Sequence, residues 1–309
     1  MNDTSMEQAN NRCYYSLNEY YKQKYGKKVY RLAISGGMTC PNRDGTIGER
    51  GCIFCSAGGS GEFASSAGLS VGEQLEVAKR RVRSKTRDNL YIAYFQPFTN
   101  TYAPVEKLRA LYEAAIAPDD IVGLSIGTRP DCLPPEVIEL LREINRKKPV
   151  TVELGLQTIH EATAAYIRRG YPLSVYDEAV KALHQAGIEV VTHVILGLPG
   201  ETEEMMLETV KYVGRVTDGV KLQLLHVLEG TDLAAEYLSG RFRTLTLEEY
   251  ARILCRCIRI LPENVVIYRL TGDGDKKHLI APQWSADKKC VLNYINKILA
   301  DNQIQQGEQ

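Results

Sequence analysis

Three cysteines with an unusual spacing are the residues in this sequence best suited to chemistry. Cys52 and Cys55 lie in the stretch CIFC, and Cys40 stands twelve positions before the first of them, in CPNRDGTIGERGCIFC. A Cys-x-x-Cys turn brings two thiols close enough to bind one metal atom or one cluster. The glycine-rich residues between allow a loop that returns Cys40 to the same place. The stretch therefore predicts a site with three thiolate ligands.

Zinc, a redox disulfide and an iron–sulfur cluster are the alternative uses of such a triad. A structural zinc site takes four ligands, usually Cys or His, and all the histidines lie far from this loop, at 160, 184, 193, 226 and 278. A redox pair uses two cysteines and leaves Cys40 without a role. A cubane cluster held by three thiolates keeps one iron open for another molecule, and this use suits the triad best.

The composition is ordinary for a globular protein, with 44% hydrophobic and 25% charged residues among 309. Basic and acidic residues number 38 each, so any nucleic-acid surface must be local. The first residues, MNDTSMEQANNR, carry no apolar signal core, and no stretch reaches the roughly eighteen apolar residues of a membrane span. We expect a cytoplasmic protein whose eight cysteines are thiols or metal ligands rather than disulfides.

Short apolar runs alternate with amphipathic helical patterns along most of the chain. The runs rich in Val, Ile, Leu and Tyr cover 29–35, 90–95, 121–127, 150–156, 188–196 and 220–228. Helical patterns separate them at 71–85, 103–116, 134–147, 174–187 and 202–216. Alternation of this kind predicts parallel βαβ units. The expected fold class is α/β, a partial (β/α)6 barrel with its active site at the carboxyl ends of the strands.

The strand pattern weakens after about residue 230. Helical patterns at 245–261 and 288–300 enclose one candidate strand at 265–270. We therefore divide the chain into a basic and aromatic N-terminal segment (1–28), a barrel core (29–230), a C-terminal α/β extension that closes the barrel (231–300) and a disordered tail (301–309). We expect Cys132, Cys255 and Cys257 to pack in the interior, and Cys290 has no assigned role.

The text around the cysteines resembles the radical S-adenosylmethionine (SAM) superfamily. GGMTCPNRDGTIGERGCIFC, with its C-x11-C-x2-C spacing, is similar to the bacterial branch related to the elongator catalytic subunit and to oxygen-independent coproporphyrinogen dehydrogenase. The resemblance implies a [4Fe–4S] cluster on Cys40, Cys52 and Cys55, with SAM chelated at the open iron and cleaved to a 5′-deoxyadenosyl radical. It also implies a one-electron donor as partner, such as flavodoxin or ferredoxin.

The same resemblance assigns SAM contacts near the first strands. Phe54, just before the last cysteine of the motif, matches the family position that lies against the adenine of SAM; alternatively, it packs within the loop. Gln96 and Thr99, in YFQPFTNTY, stand where many relatives have a glycine-rich segment for the SAM amino group.

Two further motifs that resemble the family follow the later strands. In VELGLQTIHEATAAYIRRGY, Gln157 matches a contact to the SAM ribose and Arg169 a contact to its carboxylate, although an arginine here could also complement a helix end. In HVILGLPGE, His193 stands where a relative has an acidic residue that binds SAM, although it could instead be a buried core histidine. Gly197 in the same motif would allow the backbone to approach a planar base closely.

Two basic runs indicate the substrate class. YYKQKYGKKVYR (20–31) and KRRVRSKTR (79–87) contain no acid, and their cations could bind phosphates while tyrosines stack on bases. Together with the resemblance to the elongator subunit, they suggest tRNA as partner and the 5-substituent of its wobble uridine as target, for example carboxymethylaminomethyl converted to aminomethyl. The alternatives are a radical SAM enzyme for a small molecule or peptide, and a non-catalytic metal-stabilised binding protein.

Candidate substrate contacts lie in two polar segments. SIGTRPDCL follows the third strand, and YRLTGDGDKKHLIAPQW (268–284) is expected to close the barrel mouth. From these segments we select Arg129, Asp131, Arg269, Asp273, His278 and Trp284.

Overall fold

A seven-stranded parallel sheet forms the centre of the protein. The computed structural model describes residues 13–59, 67–86, 88–272, 274 and 276–308. The strands follow one another in chain order across the sheet, β1-β2-β3-β4-β5-β6-β8, while β7 and β9 form a separate antiparallel pair. Their bounds are β1 Val29–Ile34, β2 Leu90–Phe95, β3 Ile121–Thr128, β4 Val150–Gln157, β5 Glu189–Leu196, β6 Gly219–Leu224, β7 Val227–Leu228, β8 Val266–Arg269 and β9 Leu279–Ala281.

Ten helices are described, and most of them connect one strand of the sheet to the next. Ser70 and Glu73 form a capping box at the start of the second helix, and the Thr202 side chain caps the seventh, as their sequence positions indicate. The bounds are α1 Leu17–Tyr25, α2 Val71–Val82, α3 Val105–Ile116, α4 Pro135–Lys147, α5 Glu161–Tyr166, α6 Leu173–Gln185, α7 Glu203–Val213, α8 Asp232–Leu238, α9 Leu247–Ile260 and α10 Lys288–Asp301.

The predicted α/β half-barrel is confirmed, with one strand more than the six expected for its core. The candidate strand near 265–270 is β8, which pairs in parallel with β6 and extends the sheet. The predicted run 220–228 divides into two strands, because Val227 and Leu228 leave the sheet to pair with β9. None of the helices in the described ranges is long and apolar enough to cross a membrane.

The apolar core lies between the sheet and its surrounding helices. Every strand of the sheet contributes buried apolar side chains to it, as expected for a parallel sheet covered by helices. Cys255 and Cys257 on α9 are buried in this core, and Cys132 is buried at the end of β3. The interior packing predicted for these three cysteines is therefore confirmed.

The last residues pack against the protein, so the prediction of a disordered tail at 301–309 is wrong for 301–308. Ile304 is buried, and the Gln306 side chain donates to the carbonyls of Pro262 and Val265 at 2.6 and 2.8 Å. It also accepts from the backbone N–H of Tyr15 at 2.8 Å. Polar composition misled the prediction here, because one glutamine satisfies three backbone groups.

The basic and aromatic run 20–31 packs at the amino ends of the strands. Tyr21 is buried against Val29 and Ile92, and Tyr20 contacts Glu189, the first residue of β5. Tyr20, Tyr21 and Tyr25 therefore fill the end of the barrel rather than present their rings to bases. The described part of the second run, 79–86, closes α2 at this same end, where the hydroxyl of Tyr30 donates to the Lys85 carbonyl. The cysteines follow the carboxyl end of β1, so neither run borders them.

Candidate active site

A cavity opens where the parallel strands end, and the three predicted cluster cysteines line it. Cys40, Cys52 and Cys55 all face this space as free thiols. Residues from the ends of β2 to β6 and β8 line the rest. The cavity thus occupies the position at which parallel α/β barrels carry their active sites.

Backbone hydrogen bonds and two polar side chains hold the cysteine loop. The N–H of Cys55 donates to the Cys52 carbonyl at 3.0 Å, which closes the CIFC turn. Asn42 donates to the Arg168 carbonyl at 2.6 Å and approaches the Cys52 sulfur at 3.6 Å. The Arg43 guanidinium donates to the Cys55 carbonyl at 2.7 Å. The long gap between the first two cysteines therefore supplies the side chains that fix the loop.

The surroundings of Cys52 oppose ionisation of its thiol. Burial, with Cys55 and Cys40 nearby, raises the pKa of Cys52 to about 12, and the positive charge of Arg129 partly opposes that rise. A thiolate at this position is therefore unfavourable unless a cation stabilises it. Iron bound to the sulfur would provide that stabilisation.

Gln157 combines a strained backbone with an unsatisfied side chain at the end of β4. Its φ is +71°, a left-handed conformation that is unfavourable for any residue with a Cβ, and the ladder between β4 and β5 shifts register just before it. Its Oε1 is buried and has no hydrogen-bond partner among the described residues. Such a residue on the cavity wall is preorganised to bind a ligand hydroxyl.

The two predicted arginines share the wall near the cysteines but have different bonds. Arg169 is 2% exposed; it donates to the carbonyls of Thr158 and Tyr171 at 2.6 and 2.9 Å and reaches Glu161 at 3.2 Å. Arg129 forms a two-bond pair with Asp131 at 2.7 and 2.9 Å, and Cys40 and Cys52 lie close enough for their charges to act on it. Both arginines line the cavity, and of the two Arg129 lies nearer the thiols.

The structure brings most of the other predicted site residues to this cavity. Phe54, Gln96 and Thr99 line it near the cysteines, and His193 and Arg269 line it from β5 and β8. Eleven of the residues in our prediction thus meet at one place.

Other predicted contacts lie elsewhere. Trp284 stacks on Tyr250 at 5.8 Å and donates to the Leu245 carbonyl at 3.0 Å, so it anchors the core rather than the cavity. Gly197 faces the Leu245 side chain. His278 pairs with Glu229 at 3.0 Å in an exposed position. Asp131 lines a neighbouring pocket on the outer side of the cysteine loop, and Asp273 lies outside the described residues.

Our sequence analysis missed a buried charged network beneath the cavity. Glu153, on β4, is fully buried and accepts hydrogen bonds from five side chains. Ser125 donates at 2.8 Å, Tyr94 at 3.0 Å and His193 lies at 2.8 Å, while Arg31 and Lys221 form ion pairs with it. A charged residue inside each of the apolar runs VTVELGL and VKLQLL was the available signal.

This network sets the charge states of its members. Although burial opposes ionisation of Glu153, Arg31 and Lys221 hold its pKa well below the usual range. Burial lowers the pKa of Lys221 to about 7, against the pull of Glu153. Burial and the Lys221 charge also lower the pKa of His193 to about 4, so this imidazole is neutral near neutral pH. His193 thus bonds Glu153 within the network, in addition to lining the cavity.

An α/β half-barrel that gathers three free thiols at the carboxyl ends of its strands defines a class of iron–sulfur radical enzymes. The sequence profile of the radical SAM superfamily matches residues 43–213, and that of the radical SAM C-terminal domain matches 217–301. The chain therefore belongs to the radical SAM superfamily. Membership implies a [4Fe–4S] cluster and SAM as cofactors.

Comparisons with individual proteins agree with this family. The chain is 45% identical to YtqA of Bacillus subtilis over 296 residues, an alignment that covers 96% of this chain and 92% of YtqA. It is 37% identical to YhcC of Escherichia coli over 285 residues, which covers 92% of this chain and 91% of YhcC. It is 30% identical over 157 residues to a tRNA uridine(34) acetyltransferase of Methanocaldococcus jannaschii, covering 49% of this chain and 28% of that protein.

The fold is also found in a solved structure of related architecture. The archaeal Methanocaldococcus infernus Elp3 superposes with a TM-score of 0.68 at 18% identity, over 90% of this chain. The chain spans 64% of the length of that structure. At this identity the likeness establishes the fold alone.

Proposed function

We propose that Cys40, Cys52 and Cys55 bind three irons of a [4Fe–4S] cluster and leave the fourth iron for SAM. The main support for this proposal is that all three thiols, free of disulfides, line one cavity at the carboxyl ends of the strands. No group of three or more His, Cys, Asp or Glu side chains in the described ranges is placed to share a single metal ion. A cubane fits this arrangement better than zinc, because each thiolate binds a different iron.

Residues on the cavity wall are suited to orient SAM. The unsatisfied amide oxygen of Gln157 would accept a hydrogen bond from a ribose hydroxyl. Arg129, beside Cys40 and Cys52, or the more fully bonded Arg169 would attract the carboxylate. Phe54 would contact the adenine, and Gln96 and Thr99 lie where the amino group would bind. When bound, these cofactors supply a 5′-deoxyadenosyl radical that removes a hydrogen atom from the substrate.

As substrate we propose tRNA, modified at the 5-substituent of its wobble uridine, for example from carboxymethylaminomethyl to aminomethyl. Support comes from the partial identity to a tRNA uridine(34) acetyltransferase and from the cationic lining of the cavity. The basic runs that first suggested RNA lie at the other end of the barrel, so they no longer support a base-binding role near the cysteines. A one-electron donor such as flavodoxin or ferredoxin would reduce the cluster.

Anaerobic reconstitution tests the radical chemistry. Wild-type protein should bind about four irons per chain and release 5′-deoxyadenosine in a manner that depends on reductant. Cys55→Ala should lose the cluster and this product, while Cys290→Ala, at an exposed cysteine, should behave as wild type. Zinc in place of iron, with SAM left intact, would support the non-catalytic alternative instead.

A second experiment tests the tRNA substrate. Wobble nucleosides from a deletion strain are compared by mass spectrometry with those from the strain complemented by wild type or by Cys55→Ala. We expect the carboxymethylaminomethyl form to accumulate unless active protein is present. Unchanged wobble uridines, despite SAM cleavage in vitro, would point to a small-molecule or peptide substrate.

A further inference from the structure

Phe98, in the loop after β2, has a strained backbone. Its φ is +60°, in the left-handed region that is unfavourable for a residue with a Cβ and rare for a bulky one. Strain of this kind persists only where the surrounding contacts enforce it, and it is concentrated at functional sites. The Phe98 side chain lines the cavity that the three cysteines also line. Its contacts therefore indicate what the strained conformation achieves.

The amides of Phe98 and Thr99 hold the two flanks of the cysteine loop. The N–H of Phe98 donates to the carbonyl of Gly59, which follows the CIFC turn, at 3.2 Å. The N–H of Thr99 donates to the carbonyl of Thr39, just before Cys40, also at 3.2 Å. The backbone angles of Phe98 set the direction of one N–H relative to the next. The left-handed conformation thus directs two consecutive amides to different flanks of the loop.

The ring of Phe98 packs on the same flank that its amide holds. A Cβ built on Gly59 would meet atoms of this ring at 2.5 Å, and Gly59 itself has a φ of +60°. Glycine alone suits both the close approach and the backbone angle. The ring therefore lies directly against the backbone that leaves the third cysteine.

Arg43 makes a matching set of contacts inside the cysteine loop. Its guanidinium donates to the Cys55 carbonyl at 2.7 Å and to the next carbonyl at 2.6 Å, and it lies 5.8 Å from the centre of the Phe98 ring. Its side chain crosses Gly51, just before the second cysteine, where a Cβ would meet the Arg43 Nε at 2.8 Å. Its own N–H donates to the Cys40 carbonyl at 2.8 Å. Arg43 and Phe98 thus connect the backbone around all three cysteines.

We propose that Arg43 and Phe98 are positioning residues, which fix the three cysteines relative to the site of the SAM amino group. This inference rests on the proposed cluster and SAM chemistry. Gln96 and Thr99, the contacts proposed for that amino group, stand on either side of Phe98 in the same loop. A shift of this loop would therefore move the amino contact relative to the open iron. Rates depend steeply on such positions, so groups that hold reacting atoms need rigid support.

Two simpler roles explain these residues less well. A direct contact to SAM does not account for Arg43, because its guanidinium is bonded to two backbone carbonyls of the cysteine loop. Apolar packing alone does not account for Phe98, because such packing does not require a left-handed backbone. Both residues therefore act through the loop rather than on SAM itself.

Retention of iron is the first test. Anaerobically reconstituted wild type, Arg43→Met and Phe98→Leu are exposed to an iron chelator, and the loss of cluster absorbance is followed. Arg43→Met removes two hydrogen bonds to the loop, so we expect it to lose iron roughly tenfold faster than wild type. Phe98→Leu keeps an apolar side chain but removes the ring over Gly59, and its loss of iron should be accelerated as well.

Affinity for SAM separates positioning from packing. Equilibrium dialysis and the EPR spectrum of the reduced cluster, recorded over a SAM titration, should both show SAM binding weakened by about 2- to 10-fold in Arg43→Met and Phe98→Leu. In turnover to 5′-deoxyadenosine, the KM for SAM should rise by a similar factor, while kcat at saturating SAM falls less.

Matched variants control for general damage. Tyr294→Leu, at a half-buried aromatic residue of α10, and Arg252→Met, at an exposed arginine paired with Glu203, should retain iron and bind SAM as wild type does. Arg43→Lys and Phe98→Tyr, which keep a cation and a ring, should restore much of the wild-type behaviour. Urea unfolding of the cluster-free proteins is measured in parallel, and either test variant stands alone if the other does not fold.

Two results would overturn the positioning role. Arg43→Met and Phe98→Leu could retain iron and bind SAM as wild type does. They could also unfold more easily and lose iron faster while their affinity for SAM stays unchanged, as expected of packing alone. If wild type itself binds no iron or leaves SAM intact, the proposed cluster function fails, and the positioning role fails with it.

Discussion

Replacing Gln157 by glycine should stabilise the SAM-free protein and weaken SAM binding at the same time. A left-handed φ costs a residue with a Cβ about 1–2 kcal/mol, and glycine adopts the +71° angle freely. Removal of the buried unsatisfied Oε1 relieves about 1–3 kcal/mol. Against this, glycine adds unfolded-state entropy of about 0.4–1 kcal/mol, and two lost methylenes cost about 0.8 kcal/mol each. The central values give a net stabilisation of about 1 kcal/mol.

Urea unfolding of the SAM-free protein measures this change, and equilibrium dialysis of SAM with anaerobically reconstituted protein measures affinity. Loss of one neutral hydrogen bond, about 0.5–1.5 kcal/mol, should weaken SAM binding roughly 2- to 10-fold. Gln157→Ala is the matched control, since it removes the amide but keeps the Cβ strain, and it should be less stable than Gln157→Gly. A glycine variant that is less stable than wild type, or that binds SAM equally well, would refute the reasoning.

Two further changes test the surroundings of the site. Glu153→Gln leaves buried cations without their counter-ion, so the free energy of unfolding should fall by about 3–5 kcal/mol in urea titrations, and a loss below about 1 kcal/mol would contradict the network. Gly170 has a φ of +82°, and a Cβ there would lie 3.4 Å from Arg129; Gly170→Ala should therefore cost about 1–2 kcal/mol in the same assay.

Local patterns in the sequence predict the elements of this fold well. Five of the six predicted sheet strands differ from the observed bounds by one residue at most, because continuous apolar runs mark strands buried on both faces. The sixth, 220–228, has only His226 as a polar residue where it divides, and the alternating Lys221 and Gln223 do not mark the break, so its division into β6 and β7 is set by the distant pairing with β9. The cysteine loop was predictable because its three cysteines lie close in sequence.

The charged network could not be predicted in the same way. Glu153 meets Arg31, Tyr94, His193 and Lys221, which come from four other strands and are separated by up to 122 positions along the chain. Only the order and register of the strands bring them together. A sequence pattern can identify a charge inside an apolar strand, but the partners that make it favourable depend on the closed sheet. The same holds for the tyrosines of 20–31, whose burial depends on docking α1 at the end of the barrel.

The two parts of the chain that match different sequence profiles meet in the charged network around Glu153. The cysteine loop follows β1 and Gln157 ends β4, both within the part of the chain that matches the radical SAM profile up to residue 213, apart from Cys40 just before its start. Lys221 and Arg269 are in the part that matches the C-terminal domain, 217–301. Glu153 and His193 connect the two, because β4 and β5 lie between the cysteine loop and β6 in the sheet. Glu153 therefore joins the two parts, so its substitution should disturb both of them, whereas a substitution at Lys221 changes no residue of the cysteine loop.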